Sequence, residues 1–233
     1  MTLTGLTPSR RRGVEILDNP AVDPELMRRS MRDVERANVM FGGRRAALAE
    51  LDGILRSLPD DATILDVGTG RGDIPAAIKE QAKSLGKTIR TIGIDQSLPL
   101  VTEHYPGNDV VLRGNALSLP FQDASVDVVL ASQVLHHFPE KSAIAMVREM
   151  NRVAIRRVVI SDLRRSVMAA TGLWIGSFLL GFHPVSRHDG VVSVMRGFLP
   201  AELAEIVAKA TGQRPIVRRR LGFRVTTSWT PAR

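Results

Sequence analysis

Three groups of residues in this sequence have types and spacings that could do chemistry. The first is Asp66-Val67-Gly68-Thr69-Gly70-Arg71-Gly72-Asp73, a glycine-rich turn between the apolar run Ile64 to Val67 and a segment that opens on an acid. Glycines at 68, 70 and 72 permit positive φ and leave the backbone open to a ligand at the carboxyl end of a strand. A phosphate-binding turn reads G-x-G-x-x-G, its last glycine letting a pyrophosphate rest on the helix N-terminus. Asp73 stands at that position here. A carboxylate repels phosphate and suits a ligand carrying an amine and a sulfonium, so a nicotinamide dinucleotide is disfavoured. The second group is Asp95, with Gln96 beside it, roughly 20 residues beyond the last glycine, where a nucleotide fold places an acid to accept from a ribose. The third is histidine: His136 and His137 follow the apolar run Val126 to Ala131, and His188 comes later. Histidine titrates near neutral pH, and any of the three could take a proton from a phenol. Two adjacent histidines cannot point the same way on a helix or strand, so one of the pair is structural. As metal ligands, Asp162, His188 and Asp189 have a spacing that fits no ligand pattern, and no metal is expected.

The elements that must position these groups follow from the patterning of a 233-residue chain, 44% hydrophobic, long enough for one α/β domain with appendages. It has no cysteine, which excludes disulfides, thiolate zinc sites and cysteine nucleophiles. No charged-then-apolar leader opens it, and a cytoplasmic protein is expected. The net charge of +8 comes from arginine clusters (Arg10 to Arg12, Arg28-Arg29, Arg44-Arg45, Arg156-Arg157, Arg164-Arg165 and Arg218 to Arg220) spread along the chain. With one Tyr and two Trp for base stacking, solvated faces attracted to anionic surfaces are favoured over a nucleic-acid site.

Residues 1 to 22 begin polar and basic and are expected to be mobile at the extreme end. Asp23-Pro24-Glu25 reads as a helix start, with Met27, Met31, Val34 and Phe41 on one face. A second helix after Gly42-Gly43 carries Leu48, Leu51, Leu55 and Leu58 and ends before Pro59. Residues 1–60 thus form an N-terminal helical extension, a candidate lid over the domain of residues 61–233. Strands are expected at Thr63 to Val67, Thr88 to Ile94, Asp109 to Arg113, Val126 to Ala131 and Arg157 to Ser161, alternating with helices as in a parallel sheet. An insertion covers about 163–198. Its uncharged part, Met168 to Phe182, is shorter than the ~20 residues of a membrane span and reads as a buried helix, a wall for a greasy substrate, or a peripheral contact at the inner membrane face. Phe182 to Gly197 reads as a polar loop; Pro200 to Ala210 as a helix stopped at Gly212; Ile216 to Thr227 as a hairpin around Gly222.

The acid followed by Gly68-x-Gly70-x-Gly72 resembles motif I of the class I S-adenosylmethionine (SAM) methyltransferases. Gly114-Asn115-Ala116-Leu117-Ser118-Leu119-Pro120-Phe121, with Asp123-Ala124-Ser125-Val126-Asp127-Val128-Val129-Leu130, resembles the G-D-A-x-x-L-P-F … F-D-V-V segment of its ubiquinone-biosynthesis-like branch. The resemblance implies a Rossmann-like α/β fold with a seven-stranded, mostly parallel sheet and helices on both faces. It assigns Asp66, Gly68, Gly70, Gly72 and Asp73 to the methionine end of SAM, Asp95 and Gln96 to the ribose, and Asn115 and Ala116 to adenine. Ser132, at the end of the fourth strand, would pass SAM with its backbone. Asn115 stands where the family has Asp, so an amide oxygen replaces a carboxylate as the adenine acceptor, without charge assistance. An amino-group methylase of adenine would carry Asn/Asp-Pro-Pro-aromatic at residue 132, and that run is absent. Glu15-Ile16-Leu17-Asp18, Arg36-Ala37-Asn38 and Ser161-Asp162-Leu163-Arg164-Arg165-Ser166 also resemble a bacterial subgroup paired with type III polyketide synthases. The implied reaction is O- or C-methylation of a small lipophilic phenol, quinol or polyketide-type acceptor. An RNA methyltransferase and a non-catalytic SAM-binding protein are the alternatives.

Overall fold

The computed structural model describes residues 8–10, 13–19, 21–103 and 105–232. Residues 1–7 and the Arg11-Arg12 part of the first basic cluster lie outside the described residues. The centre is β1 (Ala62–Val67), paired in parallel with β2 (Ile89–Asp95) on one side and β4 (Val126–Ser132) on the other. With β3 (Val110–Arg113), β5 (Ala154–Leu163), β6 (Val217–Arg220) and β7 (Arg224–Trp229) the order is β3-β2-β1-β4-β5-β7-β6, and β7 runs antiparallel to both its neighbours. Consecutive apolar residues explain why both faces are covered, because successive side chains of a strand point to opposite sides. Ile64, Val128, Leu130 and Val159 pack under α2 (Gly43–Ser57) and α3 (Asp73–Ser84). Leu65, Val129, Val158 and Ile160 pack under α5 (Glu140–Val153) and α8 (Pro200–Thr211). Each such fully buried side chain contributes about 1.5–3 kcal/mol.

The helices before β1 divide between two tasks. In α2, Leu51 and Leu55 are buried against the sheet, so this helix belongs to the core layer. The other, α1 (Pro24–Met40), is capped by Asp23, whose carboxylate accepts from Leu26 N at 2.9 Å, and it lies over the carboxyl ends of the strands. The short helix α4 (Leu98–Val101) follows β2. Gly222, at the β6–β7 turn, meets the carbonyl of Phe41 so closely that a Cβ would collide with it. The terminal hairpin and the α1–α2 corner are therefore in direct backbone contact.

β5 is longer than expected from Arg157 to Ser161, because β7 pairs along it to the end, Asp162 facing Val225 and Leu163 facing Arg224. The uncharged run is α6 (Val167–Leu179). Residues 182–197 are a correction: they form not a polar loop but α7 (Pro184–Arg196), packed on α6. Pro184 sits at the first helical position, His183 Nδ1 accepts from Val185 N at 3.3 Å, and Gly197 ends the helix where a Cβ would lie 2.6 Å from Leu163 O. Apolar periodicity is weak in α7 because its buried residues include Ser186, Asp189 and Arg196, the last two serving a polar interface with residues 13–19. No described helix is long and apolar enough to cross a membrane.

Candidate functional site

A cavity of about 1050 Å³ opens at the carboxyl ends of the strands, between the glycine turn, α1, α6, α7 and the β6–β7 turn. At its β1–β2 end, Gly68, Gly70 and Gly72 have φ of +76°, +53° and +71°, and a Cβ on Gly68 would strike the Val134 side chain. The turn is held from β2: Ile94 O accepts from Gly68 N (2.8 Å) and Thr69 N (3.1 Å), and Asp95 accepts from Gly70 N and Ser97 N, both at 2.9 Å. Asp95 and Gln96 line the cavity. Asp66 is buried beside the turn with Oδ1 unpartnered. Burial pushes its carboxyl up to about 7, against the Thr69 hydroxyl and with help from the charges of Asp73 and Asp95. Asp73 is also raised by burial, with Glu35 adding to the effect, although Asn38 Nδ2 donates to it at 2.9 Å.

α1 closes over this end. Met31 reaches to 3.0 Å from where a Cβ on Gly70 would stand, Arg71 pairs with Glu35 at 3.0 Å, and Arg28 pairs with Glu103. Asn38 Oδ1 accepts from Gln133 Nε2. Gln133 has φ +57°, strained for a non-glycine residue, and it lines the cavity where β4 ends. Ser132, one residue earlier, does not line it, whereas Val134 does. Ala116 lines the wall; Asn115 lies just behind, its Oδ1 accepting from Leu117 N at 2.9 Å. The oxygen expected to serve adenine therefore already holds its own turn, with one lone pair left.

The histidines separate. His136 is buried, its backbone N donates to Asp162 Oδ2 at 3.1 Å, and its Nδ1 lies 2.7 Å from Asp162 Oδ1. Burial acts to raise Asp162, but the charge and hydrogen bond of His136 outweigh it and hold the carboxyl below its ordinary value. An ionised carboxylate only accepts, so Nδ1 carries a proton, and in the neutral ring the lone pair falls on Nε2, which has no partner. His136 and His137 stack at 4.2 Å between ring centroids. His137 Nδ1 lies 3.0 Å from Asp18 Oδ1, 3.7 Å from Glu15 Oε2 and 3.4 Å from Arg196 Nη1. Burial acts to lower it, but these acids raise it, so its ring favours the charged form. His188, expected as a third base, is half-exposed on α7, is not part of the cavity wall and pairs with Asp189 at 2.8 Å. Asp189 accepts from Ile16 N and Leu17 N, both at 2.9 Å, which staples residues 13–19 across the histidines.

Among the described residues, the ligand atoms that gather within 4.8 Å belong to Glu15, His136 and His137, not to Asp162, His188 and Asp189. Arg196 already supplies a cation to Glu15 (2.8 Å) and Asp18 (2.9 Å) there. The sequence reading passed over Asp162 as the partner of His136. The signal was present in the adjacency of β4 and β5: Ser132 pairs with Ser161, so Asp162 must lie beside the loop that follows Ser132.

Comparison with known proteins decides what this geometry belongs to. A methyltransferase-domain family model matches residues 65–160. Over 206 residues the chain is 30% identical to a demethylmenaquinone methyltransferase of Deinococcus radiodurans, covering 81% of this chain and 80% of that protein. The chain belongs to the class I SAM-dependent methyltransferases, in their menaquinone- and ubiquinone-like branch. The methyltransferase is also 33% identical over 93 residues to a demethylmenaquinone methyltransferase of Lactiplantibacillus plantarum, covering 36% of this chain and 38% of that one. With that relative it thus shares well under half of either length. In fold it resembles the mitomycin 7-O-methyltransferase MmcR, with a TM-score of 0.63 at 16% identity, over 95% of this chain and 62% of the other.

The residues present fit the family's methyl donor. Asp66 and Asp73 do not themselves line the cavity, but the orphaned Oδ1 of Asp66 and the raised carboxyls of both, beside the glycine turn, suit a nearby cationic group that would relieve them. The open backbone at Gly68 and the carboxylate of Asp95 in the same wall suit an adenosyl group.

Proposed function

We propose that the methyltransferase methylates a lipophilic phenol or quinol, and that His136 is the base. The observation that carries this reading is the buried His136–Asp162 pair, with Nε2 buried and unpartnered and His136 among the residues that line a largely apolar cavity. SAM, when bound, supplies an electrophilic methyl group on a sulfonium. Asp66 and the Gly68–Gly72 backbone would hold its methionine end, Asp95 and Gln96 its ribose, and Asn115 and Ala116 its adenine. Asp162 fixes the tautomer, and His136 Nε2 takes the acceptor's phenolic proton. The imidazolium that forms is stabilised by the carboxylate at 2.7 Å. The phenolate left behind attacks through oxygen or through a conjugated ring carbon. Met27, Val34, Phe41, Met168 and Leu173 wall the acceptor end and exclude water. The names of the menaquinone-related relatives support a quinol-type acceptor.

The same reading gives α6 a second task, peripheral contact with a membrane from which the acceptor is drawn. Met168, Trp174, Ile175, Phe178 and Leu179 are each at least half exposed on this uncharged helix, beside the cavity mouth. Transfer of a labelled methyl group from SAM into a fractionated cell extract tests the whole reading. Label in the neutral-lipid and phenolic fractions is expected. Label in RNA alone, or SAM binding with no transfer into any fraction, would overturn it.

A further inference from the structure

Three arginines are buried in the described structure, and two of them are fully engaged. Arg165 donates to Pro8 O, Gly197 O and Glu202, and Arg196 to Gly13 O, Glu15 and Asp18. The third, Arg224, opens β7, is 5% exposed and lines the cavity, and its side chain makes no hydrogen bond or ion pair among the described residues. Asp162 acts on it through space, but that carboxylate is occupied by His136 and by Leu163 N at 2.7 Å. Burial lowers Arg224 to about 10, which still leaves it charged at neutral pH. A desolvated guanidinium without a partner is costly unless a ligand completes it. Its planar fork matches a carboxylate in two parallel hydrogen bonds, which a neutral phenol cannot supply.

Building on the function proposed above, we infer that Arg224 binds a carboxylate on the acceptor, so that the substrate class is an aromatic hydroxy acid with an apolar tail. The tail would lie along Leu173 and Met168 of α6, which line the same cavity, while the hydroxyl meets His136. SAM carries a carboxylate of its own, but its expected seat is the glycine turn after β1. In the sheet order β1-β4-β5-β7, Arg224 lies three strand spacings away from β1, about 14 Å at ~4.8 Å each.

The test uses the purified full chain, an alkylsalicylic acid, and the matching alkylphenol that lacks only the carboxylate. Binding of each is measured by calorimetry with S-adenosylhomocysteine present, and SAM binding is measured separately, so the result does not depend on turnover. The wild type should prefer the acid about 10- to 100-fold, the range for a hydrogen bond to a charged group. Arg224→Met should erase that preference and leave the affinities for the phenol and for SAM unchanged. Arg224→Lys, which keeps the charge and guards against loss of fold in the first variant, should reduce the preference several-fold. Equal binding of acid and phenol by the wild type, or a full preference in both variants, overturns the inference. Weakened SAM binding in Arg224→Met with the acid preference intact would assign the carboxylate to SAM and overturn it equally. Methyl transfer to no phenol at all would instead refute the function proposed above, whatever the binding results.

Discussion

Replacing Asp162 by Asn tests the base assignment at its least replaceable contact. The carboxylate receives three N–H groups: His136 Nδ1 and Leu163 N at Oδ1, both at 2.7 Å, and His136 N at Oδ2, at 3.1 Å. An amide offers one oxygen and one NH2, so one of these donors must face another donor. If the amide oxygen keeps the Oδ1 position, the buried His136 N–H is orphaned; if the amide flips, its NH2 faces Nδ1 and Leu163 N. The flipped arrangement pushes the imidazole into the tautomer with the proton on Nε2, which cannot act as a base. Either arrangement leaves a buried polar group unsatisfied, at about 1–3 kcal/mol of stability. Because the two costs are similar, both arrangements are populated. The flipped fraction holds the wrong tautomer, and the other fraction lacks the carboxylate charge that stabilises the imidazolium. Turnover should therefore fall by up to the whole contribution of a positioned base, about 10²- to 10⁴-fold, with SAM affinity unchanged. The assay is labelled-methyl transfer to lipophilic phenols of graded acidity. A positional defect shrinks as the phenol becomes more acidic, since such an acceptor needs less help to ionise, whereas a general loss of packing lowers every rate alike. A defect independent of phenol acidity, or full turnover in Asp162→Asn with loss in His137→Ala, would refute the assignment of His136.

Asp66, pushed up to about 7, is about half protonated near pH 7, and a cation beside it lowers its pKa. SAM binding should therefore release protons and tighten as the pH rises from about 6 to about 8; calorimetry in buffers of different ionisation enthalpy measures this, and a proton count of zero counts against Asp66 as a contact. Asp95→Ala should weaken SAM binding by about 1.5–3 kcal/mol, the loss of charge-assisted hydrogen bonds, while an unchanged dissociation constant would place the ribose elsewhere. Glu50 is buried between α2 and the terminal hairpin, accepting from Arg218 (2.9 Å), Arg220 (2.7 Å), Thr226 (2.8 Å) and Ser228 (2.7 Å). Burial acts to raise Glu50 but those bonds hold it below its ordinary value, so its stabilisation is full above the unfolded carboxyl value of about 4.3 and is lost as the pH falls through the lower folded one. Denaturant unfolding should find Glu50→Gln less stable by about 1–3 kcal/mol near neutrality and less sensitive to acid than the wild type; an equal acid slope removes Glu50 from the account.

What could be read from sequence was what local patterning dictates. Continuous apolar runs that turn on glycine gave the parallel strands, Asp23-Pro24 gave the start of α1, and Gly222 gave the terminal hairpin. Residues 182–197 failed because helical periodicity reports an apolar face, and α7 buries Ser186, Asp189 and Arg196 instead. Its signals were the proline at the first turn and the glycine after the last. The site was legible where one loop carries it, as in Gly68 to Gly72, and obscure where it depends on register between distant segments. Asp162 and His136 stand 26 residues apart and meet because β4 and β5 are parallel neighbours. Arg224, in a hairpin rich in arginine, had no local mark to separate it from its solvated neighbours.

Charge around the cavity is mixed, and two groups bear on the acceptor's direction. Asp95, with Asp66 and Asp73 beside the glycine turn, stands at the β1–β2 end, where Arg113 also lines the wall, and Arg224 lines it at β7. Glu15, Asp18, Asp33 and Asp189 line it too, but Glu15 and Asp18 are paired with Arg196, Asp33 with Arg36, and Asp189 with the Ile16 and Leu17 amides. An acidic acceptor entering the wrong way round would bring its carboxylate to the acids; like charges about 4 Å apart at an effective dielectric constant near 20 cost about 4 kcal/mol, against about 1 in water. That difference is enough to fix orientation more than a hundredfold, and it comes from side chains that need not touch the reacting atoms. Charge placement would thus decide which way the acceptor lies, while the rate of its ionisation rests on His136 and Asp162. The two properties should then separate by mutation, orientation following Arg224 and proton transfer following Asp162.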